Sequence, residues 1–130
     1  MQQTVCSDLS GRVVVVTGGS RGIGRATAVM LARLGATIGL IQRGDARDTL
    51  NEIEDLGARC AQARVDLSEG DHGVAALNEL SEHLGGLDAL VCNAGAIDRR
   101  PAIEVDIEDF RRIVDVGLIA VFAQAQAAAR

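Results

Sequence analysis

The sequence predicts an α/β fold: four parallel strands in one sheet, doubly wound by helices on its two faces, in the order 3-2-1-4. Strand-length apolar runs alternate with amphipathic helical stretches, and glycines (Gly35, Gly57, Gly85-Gly86) close the helices. Strand–helix–strand units of this size form right-handed crossovers, which makes the sheet parallel. The run Val13-Val14-Val15-Val16 passes directly into Thr17-Gly18-Gly19-Ser20-Arg21-Gly22-Ile23-Gly24. Continuous apolar character marks a strand covered on both faces, and the glycines mark its turn into a helix.

The first strand is expected over residues 12–17 and the first helix over 22–34, with Ile23, Ala26, Met30, Leu31 and Leu34 as its apolar stripe. The second strand is read at 37–41, and the second helix at 46–56 with Leu50, Ile53 and Leu56 inward. A third strand over 60–66 ends at Asp66. Ser68 is placed as cap of the third helix, with Asp71 completing a partial capping box. Val74, Leu77, Leu80 and Leu84 line that helix. The fourth strand is read at 89–93, followed by a loop over 94–105 with the only proline, Pro101. Asp106 is placed as cap of a last helix that packs through Ile107, Phe110, Val114, Val121, Phe122 and Ala125. No repeat or boundary interrupts the pattern, so residues 1–130 read as one domain.

Composition narrows the function. Hydrophobic residues make up 48% and charged residues 24%, an ordinary globular balance, with Phe110 and Phe122 the only aromatics. A net charge of −5 with no basic block lacks the footprint of a nucleic-acid binder. Cys6, Cys60 and Cys92 are odd in number and form no metal-ligand spacing, so they read as reduced cytoplasmic thiols. Residues 1–10 show no signal-peptide pattern, and no apolar stretch reaches membrane-spanning length. His72 and His83 read as solvated surface residues.

The glycine turn carries the chemistry. It brings backbone N–H groups to a helix N-terminus, where the helix dipole favours an anion. Nucleotide pyrophosphate is the usual guest of such a turn, beyond the carboxyl ends of the strands. No Lys-Ser or Lys-Thr follows the last glycine, which excludes a P-loop.

Thr17-Gly-Gly-Ser-Arg-Gly-Ile-Gly24 resembles the TGxxxGIG motif of the short-chain dehydrogenase/reductase family. Asp66 resembles the aspartate that takes the adenine amino group there, and Asn93-Ala94-Gly95 resembles the NAG motif beside the cofactor. The resemblance implies a Rossmann-like fold, a nicotinamide dinucleotide, and oxidoreduction of a CH–OH or ketone group. The expected cofactor contacts are Gly18, Ser20, Arg21, Gly22, Ile23, Gly24, Arg43, Asp66, Asn93 and Gly95. Within the family, residues 93–104 and 121–130 resemble 2-deoxy-D-gluconate 3-dehydrogenases, which act on a deoxy sugar acid. Arg99 and Arg100 then offer a grip for a substrate carboxylate, against the plainer reading of an exposed loop pair.

The end of the second strand bears on the nucleotide. An acid there would bind the ribose 2′-hydroxyl and repel a 2′-phosphate. Gln42 occupies the place and Arg43 follows, so NADP(H) is favoured; the subgroup resemblance pulls towards NAD(H). Asp45, 21 positions after Gly24, stands near the spacing of an NAD-selecting acid, and a cap of the second helix is the favoured reading of it.

The family's serine, its proton-exchanging tyrosine and the lysine four residues later fall beyond the matching segment. The chain has no tyrosine, and all its basic residues other than histidine are arginine. No catalytic residue is therefore assigned. Gly117 stands where the family has an asparagine in the last helix, and Cys92 is expected to fill a buried strand-end site. The resemblance covers the N-terminal half of a usual member. The 130-residue chain alone is expected to be inactive, a nucleotide-binding fragment or pseudoenzyme being the alternative to an oxidoreductase, and to form a homo-oligomer.

Overall fold

The computed structural model describes residues 7–130. Cys6 and the start of the N-terminal segment lie outside the described residues. β1 (Val13–Thr17) leads into α1 (Gly22–Arg33), then β2 (Thr37–Gln42), α2 (Arg47–Asp55), β3 (Cys60–Arg64), α3 (His72–Leu84) and β4 (Ala89–Val91). A single 3-10 turn (Ala102–Glu104) precedes α4 (Ile107–Val114), a π-helical segment (Asp115–Ile119) and α5 (Ala120–Ala128). The four strands form one parallel sheet in the order β3-β2-β1-β4, as the alternation of elements predicts.

Alternation along β1 builds two cores. Val14 and Val16 face α1 and α2, joining Ile38, Leu40, Ala28, Val29, Leu50 and Ile53. Val15 faces the opposite layer with Ile41, Leu77, Leu80, Val116 and Ala120. Burial on both faces explains the four consecutive valines of the strand.

Several sequence expectations need correction. The sheet-facing stripe of α1 is Gly24, Ala28, Val29 and Ala32, whereas Ile23 and Met30 are exposed. Small residues let the helix lie close to β1 and β2, and that close approach, rather than side-chain size, sets the helix phase. Leu56 is exposed at the end of α2.

The last helix turns a different face inward. Ile107, Phe110 and Phe122 are exposed, and Val116, Ala120 and Gln124 are buried. The π segment inserts residues into the turn and shifts the phase between α4 and α5, which a constant 3.6-residue period cannot anticipate. Gln124 reaches Gly73 on α3, donating from Nε2 to its carbonyl at 3.3 Å.

The caps also differ. Ser68 does not cap α3. Its backbone N–H and its hydroxyl both donate to Asp66 Oδ1, at 3.0 and 2.7 Å. Asp106 stands at the N-cap of α4 without a side-chain cap bond. At the other end of α3, the Arg59 guanidinium donates to the carbonyl of His83 at 2.6 Å, near the negative pole of the helix.

Strand ends are shorter than expected. β3 stops at Arg64 and β4 at Val91, so Asp66 and Asn93 stand in the turns that follow. Cys92 is exposed rather than buried. Both histidines are exposed.

Candidate functional site

The carboxyl ends of the parallel strands bring the candidate residues together. Gly18 follows β1 in the left-handed region (φ +72), and its N–H donates to the Ile41 carbonyl at 2.8 Å. The chain then passes through Ser20 and Arg21 into α1. Arg21 is the N-cap, with extended backbone and no side-chain cap bond, and no acidic residue stands in the first turn. The amides of Gly22, Ile23 and Gly24 lie at a helix start with no side chain to serve them.

The turn is tied down through its carbonyls. Asn93 Nδ2 donates to the carbonyls of Thr17 and Gly18, at 3.1 and 3.2 Å. The Thr17 hydroxyl accepts the backbone amides of Asn93 and Ala94 at 3.0 and 2.9 Å. From α2, the buried Thr49 hydroxyl donates to the Gly19 carbonyl at 2.9 Å. Carbonyls of the turn are thus taken up by the protein while no side chain caps the first amides of α1, a helix start of the kind that suits an anion. Open space lies beyond Gly22 and Gly95: a Cβ on either would meet no atom within 4 Å.

Arg43 follows β2 and is largely exposed, its Nη1 3.9 Å from Asp66 Oδ2. Arg112, on α4, donates to the same oxygen at 3.1 Å. Hydrogen bonds from Ser68, with the two arginines behind them, hold the Asp66 carboxyl below its ordinary range. Gln42 is buried at the end of β2, where its Nε2 donates to Gln62 Oε1 at 2.9 Å. It is turned inward and presents no charge to the crevice.

Asp45 does serve the start of α2, from one position ahead of the N-cap. Its Oδ1 accepts the Arg47 N–H at 3.1 Å and the Gln62 side-chain amide at 2.8 Å, and the latter bond is the main cause of its lowered pKa. Arg100 is committed elsewhere: it pairs with Asp98 and with Asp109. The Arg100 contact holds Asp98 down at about 2. That leaves Arg99, exposed in the loop, as the cation of the pair without this engagement.

The expected residues Gly18, Ser20, Arg21, Gly22, Ile23, Gly24, Arg43, Asp66, Asn93 and Gly95 all lie in the turns and helix start at this end of the sheet. Sequence reasoning missed Thr49 and Arg112. Thr49 carried a faint signal, a small polar residue beside the inward Leu50; nothing in the spacing tied Arg112 to Asp66.

Comparison with known proteins agrees with this geometry. Residues 12–130 match the family described as short chain dehydrogenase. A 2-dehydro-3-deoxy-D-gluconate 5-dehydrogenase of Escherichia coli is 34% identical over 122 residues, which cover 94% of this chain and 48% of the relative. A short chain dehydrogenase from Burkholderia cenocepacia, solved in complex with NADP, is 35% identical with a TM-score of 0.90, covering 94% of this chain and 51% of that one. A protein from Agrobacterium tumefaciens assigned as a 2-deoxy-D-gluconate 3-dehydrogenase, solved with bound NADP, is 34% identical with a TM-score of 0.82, covering 96% and 49%. Carveol dehydrogenase from Mycobacterium avium, in complex with NAD, is 28% identical with a TM-score of 0.83, covering 95% and 50%. The chain spans about half the length of these proteins. With the glycine turn, the strand order and the Asn93 tie on the same scaffold, the chain belongs to the short-chain dehydrogenase family.

Proposed function

We propose that this chain is the dinucleotide-binding part, residues 1–130, of an NADP(H)-dependent oxidoreductase acting on a secondary alcohol or ketone. The observation that carries the reading is the start of α1, which no side chain caps, while the carbonyls of the turn are engaged by Asn93 and Thr49. In this reading Gly18, Ser20, Arg21, Gly22, Ile23 and Gly24 surround the pyrophosphate. Asp66 takes the adenine amino group, and Asn93 and Gly95 form the wall towards the nicotinamide. The bound nucleotide would supply or accept a hydride.

The choice of NADP(H) over NAD(H) rests on charge. No carboxylate at the end of β2 turns away a 2′-phosphate, and Arg43 offers a planar, exposed guanidinium beside it. Two relatives solved with NADP support this side; the one with NAD keeps NAD(H) as the alternative. A deoxy sugar acid is the proposed substrate class, supported by the names of two relatives.

A second reading is favoured by two facts. The sequence holds neither tyrosine nor lysine, and Gly117 offers no side chain in the π segment. In that reading residues 1–130 bind nucleotide, and the proton-exchanging tyrosine and lysine are not among them. No helix among the described residues is long and apolar enough to cross a membrane. A cytoplasmic placement rests on the cysteines, odd in number and read as reduced thiols. Exposed Ile107, Phe110, Leu118 and Phe122 support self-association. Calorimetric titration with NADPH and NADH tests the binding reading: tighter NADPH binding supports it, and binding of neither nucleotide overturns it.

A further inference from the structure

We propose that Arg112 is a positioning residue for Asp66: from α4 it holds one oxygen of the carboxylate, so that the adenine amino group of a bound dinucleotide meets a fixed acceptor. The proposal rests on the dinucleotide reading above and adds a residue to it.

The two oxygens of Asp66 have different partners. Oδ1 accepts both the backbone N–H and the hydroxyl of Ser68, at 3.0 and 2.7 Å. Its two in-plane lone-pair directions are taken. Oδ2 accepts Arg112 Nη2 at 3.1 Å, and Arg43 Nη1 stands outside hydrogen-bond reach at 3.9 Å. One lone pair of Oδ2 therefore remains for an external donor, and an exocyclic amino group is such a donor.

The pair is too exposed to matter much for stability. The Arg112 side chain is 45% exposed and that of Asp66 20%, and pairs of this kind contribute little net energy. Arg112 instead fixes direction. The Ser68 bonds anchor Oδ1, and Arg112 sets the rotation of the carboxylate plane that places Oδ2. The contact spans 46 positions of sequence and joins α4 to the turn after β3. α4 has no buried residue of its own; Arg112 ties it to the turn after β3, as Asp109 ties it to Arg100 in the loop after β4. The same arrangement frees Arg43: with Arg112 on Oδ2, the more exposed guanidinium can turn to the ribose 2′ position without leaving the carboxylate unpaired.

The test compares NADPH with its deamino analogue, in which hypoxanthine replaces adenine and a ring carbonyl replaces the amino group. Both are titrated calorimetrically into the full chain and into Arg112→Ala and Arg112→Lys variants. The wild type should prefer NADPH by about tenfold, the size expected for a hydrogen bond to a charged acceptor. R112A should reduce that preference to about threefold or less, chiefly by weakening NADPH, with an unchanged thermal transition. R112K should retain most of it. An undiminished preference in R112A overturns the proposal, as does an equal loss for both nucleotides, which a merely structural role would produce. A wild type that binds both nucleotides equally also overturns it. A wild type that binds neither overturns the dinucleotide reading as well, a different result from a variant with no effect.

Discussion

Gly24 lies directly against Gly18: a Cβ on Gly24 would stand 2.1 Å from the Gly18 carbonyl oxygen and 2.5 Å from Asn93 Nδ2. The helix start and the glycine turn are therefore packed backbone to backbone. Gly24→Ala should push the turn off the helix, costing about 2–4 kcal/mol by analogy with core overpacking, and should abolish nucleotide binding. At Gly22 the space is open, and only its left-handed backbone (φ +57) resists a side chain, so Gly22→Ala should cost about 1 kcal/mol. Urea unfolding of both variants checks the order; equal losses would contradict the close contact at Gly24.

Arg43 should read the 2′ position of the ribose. Arg43→Ala is expected to weaken NADPH binding by about tenfold while leaving NADH within about twofold, because only the phosphate offers a charged acceptor. Parallel calorimetric titrations decide it. An equal change for both nucleotides would return Arg43 to the role of a surface cation.

Gly117 sits in the π segment with a backbone that is not left-handed and no atom within 4 Å of an added Cβ. Alanine there should stabilise the chain by about 0.5–1 kcal/mol, through the lost freedom of the unfolded glycine. A higher melting temperature for Gly117→Ala is the expected outcome. A lower one would mean that the π turn itself needs glycine.

Acid should loosen the loop after β4. Asp98 is held at about 2 against its ordinary 3.8, first of all by its hydrogen bonds from Arg100. A depressed carboxylate adds stability that is fully present above its unfolded value and is lost as pH falls through the folded one. The contribution is therefore whole above about pH 4 and fades between pH 4 and 2. Asp98→Asn should flatten the stability–pH curve in that window, measured by urea unfolding from pH 5 downward. A slope identical to the wild type would show that Arg100 does not hold Asp98 in solution.

Sheet and turn were legible because their signals are local. Four consecutive valines need two covered faces, and Thr17 to Gly24 carry the turn in seven steps of sequence. Asp66 and Asn93 could be located to within two residues of a strand end. Helix faces were harder. In α1 the small residues Gly24, Ala28 and Ala32 approach the sheet, and the larger Ile23 and Met30 point away. Reading by hydrophobic size inverts that stripe. At the last helix a π segment changes the period mid-run, so Phe110 and Phe122 left the core while Gln124 entered it. Of the contacts made across the fold, Thr49 to Gly19 leaves only a faint trace in the sequence, and Arg112 to Asp66 leaves none.

The most direct test of the nucleotide site is the amide spectrum of the folded chain as NADPH is added. The N–H signals of Ser20, Arg21, Gly22, Ile23 and Gly24 should shift together and saturate, with Arg43 and Asp66 moving in the same titration. Signals that stay in place at saturating NADPH and NADH, in a sample that remains folded, would contradict the account.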